Sequence, residues 1–85
     1  MNIPEMTAIA KEHWKEHLPP FYNLLVEQGL LQSEAEASAE LTRREMDVLK
    51  MGGMTEAEAW ESAMQIFILM PPSKLGQLMR DYEQE

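Results

Sequence analysis

Apolar residues recur along this chain at spacings of three and four, and no stretch alternates apolar and polar positions as a half-buried strand would. Helix start and stop signals punctuate the pattern. It predicts an all-α fold, a compact bundle of four to five short helices forming one domain over residues 1–85. The first helix starts near Pro4, carries Met6, Ile9, Ala10, Trp14 and Leu18 as its apolar stripe, and ends at His17 or Leu18 ahead of Pro19-Pro20. That double proline opens a second helix with Phe21, Tyr22, Leu24, Leu25 and Val26, stopped at Gly29 with Leu30 placed for the contact that follows a left-handed glycine.

Ser33-Glu34-Ala35-Glu36 has the form of a capping box and predicts the start of a third helix, which runs to about Met51 and stops at Gly52-Gly53. At about 100° per residue, Glu36, Glu40, Arg43, Arg44, Asp47 and Lys50 share an arc of about 120°. The rest of the helix is apolar or small (Ala35, Ala39, Leu41, Thr42, Met46, Val48, Leu49) except for Glu45, a face wide enough for a central helix packed on two sides. Glu40/Arg44 and Arg43/Asp47 are spaced as ion pairs one turn apart.

Thr55-Glu56-Ala57-Glu58 is a second box, with Met54 and Ala59 spaced as a hydrophobic staple. The fourth helix continues through Trp60, Met64, Phe67 and Ile68 to a stop before Pro71-Pro72, and Ser73 caps a last helix carrying Leu75, Leu78, Met79 and Tyr82. "SEAEA" and "TEAEA" match for one turn only, which is shared capping chemistry rather than a repeat.

Composition narrows the function. Fifteen acidic residues against seven basic give a net charge of −8, which argues against direct nucleic-acid binding and favours a basic protein partner. With no cysteine, there is no disulfide framework, thiolate site or thiol nucleophile. The N-terminus lacks the basic start and long apolar core of a signal peptide, and the run "IFILM" is far short of the roughly 18 residues of a membrane span. A cytoplasmic protein without a membrane partner is expected.

The sharpest chemical motif is "HWKEH", His13-x-x-Glu16-His17, the spacing of an inverted zinc peptidase. Pro19-Pro20 places the second ligand on the last turn of its helix, and 85 residues leave little material for a peptide cleft. His13 and His17 also fall near the middle of the Met6/Ile9/Ala10 face, while Glu16 points about 60–100° away. The pair therefore reads as half-buried histidines packed and hydrogen-bonded against a neighbour, with neither metal nor cofactor assigned; a site completed by a carboxylate from another helix or a second copy is the subsidiary reading. No phosphate loop and no G-x-S-x-G elbow is present, and no enzyme is expected.

Of the eight methionines, Met46, Met51, Met54, Met64, Met70 and Met79 fall on or beside apolar faces as core fillers, with an adaptable Met-lined patch for a partner as the functional alternative, and Trp14 and Trp60 read first as core anchors. Glu34, Glu36 and Glu40 form one acidic cluster and Glu56, Glu58 and Glu61 another; with Trp60 they make the expected partner-binding set. Since 45% of the residues are apolar, self-association as a homodimer is the second reading.

The stretch "HWKEHLPPFYNLLVEQGLL", joined by "GGMTEAEAW" and "ILMPP", resembles small orphan accessory proteins of phages and integrated mobile elements. The resemblance covers most of the chain through structural punctuation and brings no functional residues. It implies an accessory protein that acts by binding, such as an antagonist of a host defence complex of the anti-CRISPR type.

Overall fold

In the computed structural model, which describes residues 2–69, every regular element is helical. Helix α1 (Ile3–His17) is capped by Asn2, whose side chain accepts the Glu5 N–H at 2.9 Å while the Glu5 carboxylate accepts the Asn2 N–H at 3.4 Å. The Leu18 N–H closes its last turn on the Trp14 carbonyl at 2.9 Å. Pro19 and Pro20 then open α2 (Pro19–Glu27), where their missing N–H groups leave no hydrogen bond unmade.

A Schellman turn ends α2. Gly29 sits at φ 69°, its N–H bonds the Val26 carbonyl at 3.1 Å, and the Leu30 N–H reaches back to Leu25 at 2.8 Å. The same motif ends α3 (Leu31–Met51): Gly53 lies at φ 106°, its N–H bonds Lys50, and the Met54 N–H reaches Leu49 at 3.1 Å. Thr55 and Glu58 form the expected reciprocal cap of α4 (Glu56–Met64), with bonds of 3.0 and 3.2 Å. The helix then widens into a π-helical segment, Gln65–Leu69.

The start of α3 departs from the sequence reading. Ser33 lies inside the helix and donates its hydroxyl to the Leu30 carbonyl at 3.1 Å, and no side chain caps α3. Leu30 and Leu31 both pack on the core, so the helix begins directly after the Gly29 turn, two residues before the expected cap. Pro71-Pro72, the last predicted helix, Met70 and Met79 lie outside the described residues.

Helix α3 is the axis of the bundle and touches every other element. Its buried positions, Ala35, Ser38, Ala39, Thr42 and Met46, are mostly small, which lets neighbouring backbones come close. The six charged residues assigned to its outer arc are all exposed; Arg43 and Asp47 pair at 3.7 Å, whereas Glu40 and Arg44 stay beyond ion-pair distance. One core cluster joins Ala10, Trp14, Phe21, Leu25, Ala35 and Ile68, and a second joins Met6, Ala39, Met46, Ala59 and Ala63. These pairings run α1 and α4 antiparallel to α3. Trp60 packs against both clusters and ties them together.

Polar groups within this core are paired, with one exception. Trp14 Nε1 donates to the Ile68 carbonyl at 2.8 Å, and the Thr7 and Thr42 hydroxyls donate to carbonyls one turn back at 2.8 and 2.7 Å. Ser38 Oγ is fully buried without a partner among the described residues. Ser38→Ala should therefore raise the thermal midpoint, by removing an unmet hydrogen-bonding group that costs about 1 kcal/mol. Trp14→Phe should cost about 3 kcal/mol, because it opens a cavity and orphans the Ile68 carbonyl. Thermal and urea unfolding of the two variants against the parent check both values.

Candidate functional site

The six glutamates expected to bind a partner occupy two separate regions. Glu34, half-buried, and Glu36 and Glu40, exposed, lie on the first half of α3; Glu56, Glu58 and Glu61 lie exposed on α4 beyond the Gly52-Gly53 turn. From Glu36 to that turn the helix rises roughly 20–25 Å, so the clusters are not one continuous stripe.

Two of the six already have intramolecular roles. Glu56 Oε1 accepts a bond from Lys50 Nζ at 3.0 Å, and the Glu58 carboxylate caps the Thr55 N–H. Both carboxyls are held below the ordinary value of 4.5, Glu56 chiefly by its bond and attraction to Lys50 and Glu58 chiefly by its bond to the Thr55 backbone. Glu36, Glu40 and Glu61 make no hydrogen bond or ion pair among the described residues. Trp60 is half-buried, its indole largely taken up in joining the two core clusters.

The apolar surface lies where it was not expected. Val48, Met51 and Met54 were assigned to apolar core-facing positions, but Val48 is 62% and Met51 89% exposed, and Met54 is also at the surface. The buried stripe of α3 continues past Met46 into the half-buried Leu49, and Val48 and Met51 lie about 140–160° round the helix from it, facing away from the core. Val48, Met51 and Met54 are thus three exposed apolar side chains near the α3–α4 turn, flanked along the chain by the exposed Asp47, Lys50, Glu56 and Glu58. Met46 does fill the core as expected, and Met64 is half-buried against it.

On α1 the histidine pair sits at the edge of the buried face rather than its middle. The helix turns Met6, Thr7, Ala10 and Trp14 inward, which leaves Ile9 and His17 exposed and His13 half-buried. Thr7 and Trp14 set this rotation, Thr7 by bonding back to Ile3 and Trp14 by reaching Ile68. The imidazole centroids are 4.7 Å apart, and Glu16 Oε2 lies 3.8 Å from His17 Nε2. Burial lowers the His13 pKa, helped by the neighbouring His17 and partly opposed by Glu16. A shallow groove of about 240 Å³ is lined by Ile9, Glu12, His13, Glu16 and His17, all from α1. Among the described residues the histidines face no neighbouring helix and share their groove only with residues of α1. Among the described residues no third His, Cys, Asp or Glu completes a metal cluster, so the peptidase constellation is not assembled there.

A second groove of about 240 Å³ separates α1 from α3, lined by Pro4, Thr7, Ala8, Lys11, Gln32 and Glu36 and bridged by a hydrogen bond from Lys11 Nζ to Gln32 Oε1. No described helix is long and apolar enough to cross a membrane. No family model matches the chain, and neither a curated protein nor a solved structure matches it.

The lowered Glu56 and Glu58 values set a pH dependence. A carboxyl more acidic when folded than when unfolded adds stability above its unfolded pKa, and that contribution is lost as pH falls through the folded value. The midpoint should first decline as pH falls below about 6.5, where the His13 pKa lowered by burial favours the unfolded chain, and the carboxyl contribution should hold to about 4.5 and be lost below it. In Glu58→Gln, whose amide keeps the capping geometry without the charge, the fall should be shallower. Midpoints of both proteins between pH 3 and 7 test it.

Proposed function

We propose that the protein is a non-enzymatic, acidic protein-binding module whose α3–α4 tip docks on a basic partner, and that it acts as a phage or mobile-element antagonist of a host nucleic-acid-binding defence complex. The observation that carries this reading is the exposure of Val48, Met51 and Met54 beside the acidic first turn of α4. Removing three large apolar side chains from water supplies affinity, and two methionines among them let the contact adapt in shape. The glutamates supply orientation and attraction over distance: Glu61, exposed on α4, has no partner among the described residues, and Glu36 and Glu40 lie farther along α3. A chain of net charge −8 seated on a Lys/Arg-rich surface competes with phosphate for the same groove, which is how a small protein without chemistry of its own disables a nucleic-acid machine.

The test separates apolar docking from charge. In a pull-down from nuclease-treated bacterial lysate, the parent chain should retain a basic protein that elutes at moderate salt and loses its nucleic acid when the chain is bound. Met51→Ala should weaken that retention about tenfold, since a central contact contributes on the order of 1–2 kcal/mol. Glu61→Lys should weaken it in a salt-dependent way. Both side chains are exposed, so circular dichroism should be unchanged. Glu58→Lys is a poor probe, because it also removes the α4 cap. Retention indifferent to both Met51→Ala and Glu61→Lys, or recovery of the chain alone as a stable dimer, would overturn this reading; the dimer would favour self-association instead.

A further inference from the structure

The face of α1 that carries His13 and His17 has no part in the partner-binding reading, yet it combines several features that point to one class of ligand. We propose that His13 and His17 form an open, two-imidazole site for a first-row divalent transition-metal ion such as zinc or copper(II). Residues four apart on a helix lie one above the other, and here the two rings stand 4.7 Å apart at their centroids with planes inclined by 34°. Two nitrogens each 2.0–2.1 Å from a tetrahedral ion are roughly 3.3 Å apart, a separation these rings reach by side-chain rotation alone.

The backbone beneath the pair is held in place. Between the histidines, Trp14 is fully buried, donates to the Ile68 carbonyl at 2.8 Å and meets the Phe21 ring edge-on at 5.2 Å. The turn that carries His17 is closed by the Leu18 N–H on the Trp14 carbonyl, so Pro19-Pro20 does not fray it. Both imidazoles therefore project from a fixed turn, which lowers the ordering cost of chelation.

Charge favours a cation at the same place. His17 is the last residue of α1, at the negative end of the helix dipole, and Glu12 and Glu16 line the groove with the two rings. Among the described residues no other element lines that groove, which leaves room for water in the remaining coordination positions. With two protein ligands, the site differs from a closed structural zinc centre of four, and neither core cluster includes a residue of the pair. The inference is independent of the α3–α4 tip.

Zinc chloride titrated calorimetrically into the untagged full chain, in chelator-free buffer, should show saturable binding of one ion per chain. His13→Ala and His17→Ala should each lower the affinity at least about tenfold, or about 1.4 kcal/mol, with helicity unchanged. Glu36→Gln, on another helix, should bind as the parent does. Copper(II) bound to the parent should show electron-spin-resonance couplings from two imidazole nitrogens, with one lost in either alanine variant. Three outcomes would overturn the proposal: no saturable zinc heat, a His17→Ala affinity equal to the parent's, or one ion per two chains with a dimer in sedimentation.

Discussion

Trp14 joins the first turns of this chain to its last described ones through a single buried hydrogen bond, from its indole N–H to the Ile68 carbonyl fifty-four residues away. The residue four places after Ile68 is Pro72, which has no N–H to offer this carbonyl, and the indole meets it where water cannot. The ring also lies edge-on to Phe21, so one side chain gathers α1, α2 and the end of α4 around the start of α3. With Trp14 pointing inward, the rest of α1 follows: Met6 and Ala10 face the core, and Ile9 and the histidines move to the rim.

The second cluster is built differently. It relies on Ala39, Ala59 and Ala63 rather than on large side chains, with Met6 and Met46 filling the space between backbones. Small residues bring the helices close, and the half-buried Leu49 carries the contact into the last turn of α3. Val48 and Met51 stand on the far side of α3 from this seam, so close packing along α4 leaves them at the surface.

Much of this architecture was legible in the sequence because its signals are local. Pro19-Pro20, Gly29, Gly52-Gly53 and the Thr55/Glu58 box each act within one turn, and each does in the structure what its chemistry dictates. The Asn2/Glu5 box carries the same local signature, a capping residue three places before a glutamate, and it stands beside Pro4, which by itself also marks a helix start. What local patterns do not carry is which of two neighbouring apolar faces a helix turns inward. Ile9, Val48 and Met51 fit their stripes by periodicity, yet Ile9 is exposed because Trp14 rotates α1, and Val48 and Met51 are exposed because α3 buries one narrow stripe rather than two sides. Ser33 shows the converse: its cap pattern was outcompeted by two leucines that the core required. The candidate site was readable to the same extent, with the glutamates and histidines named and the apolar tip missed.

Gly29 and Gly53 bracket α3 with the same left-handed turn at either end. A helix locked at both ends behaves like a keyed shaft, whose angular setting at one end is transmitted to the other by the number of residues between. One residue added or removed between Ala39 and Met46 would turn the tip by about 100° about the axis while displacing it only about 1.5 Å along it. The direction in which Val48 and Met51 face, relative to the histidines of α1, is accordingly a property of chain length in α3. Substitutions on its outer arc can vary the surface freely, but insertions and deletions cannot.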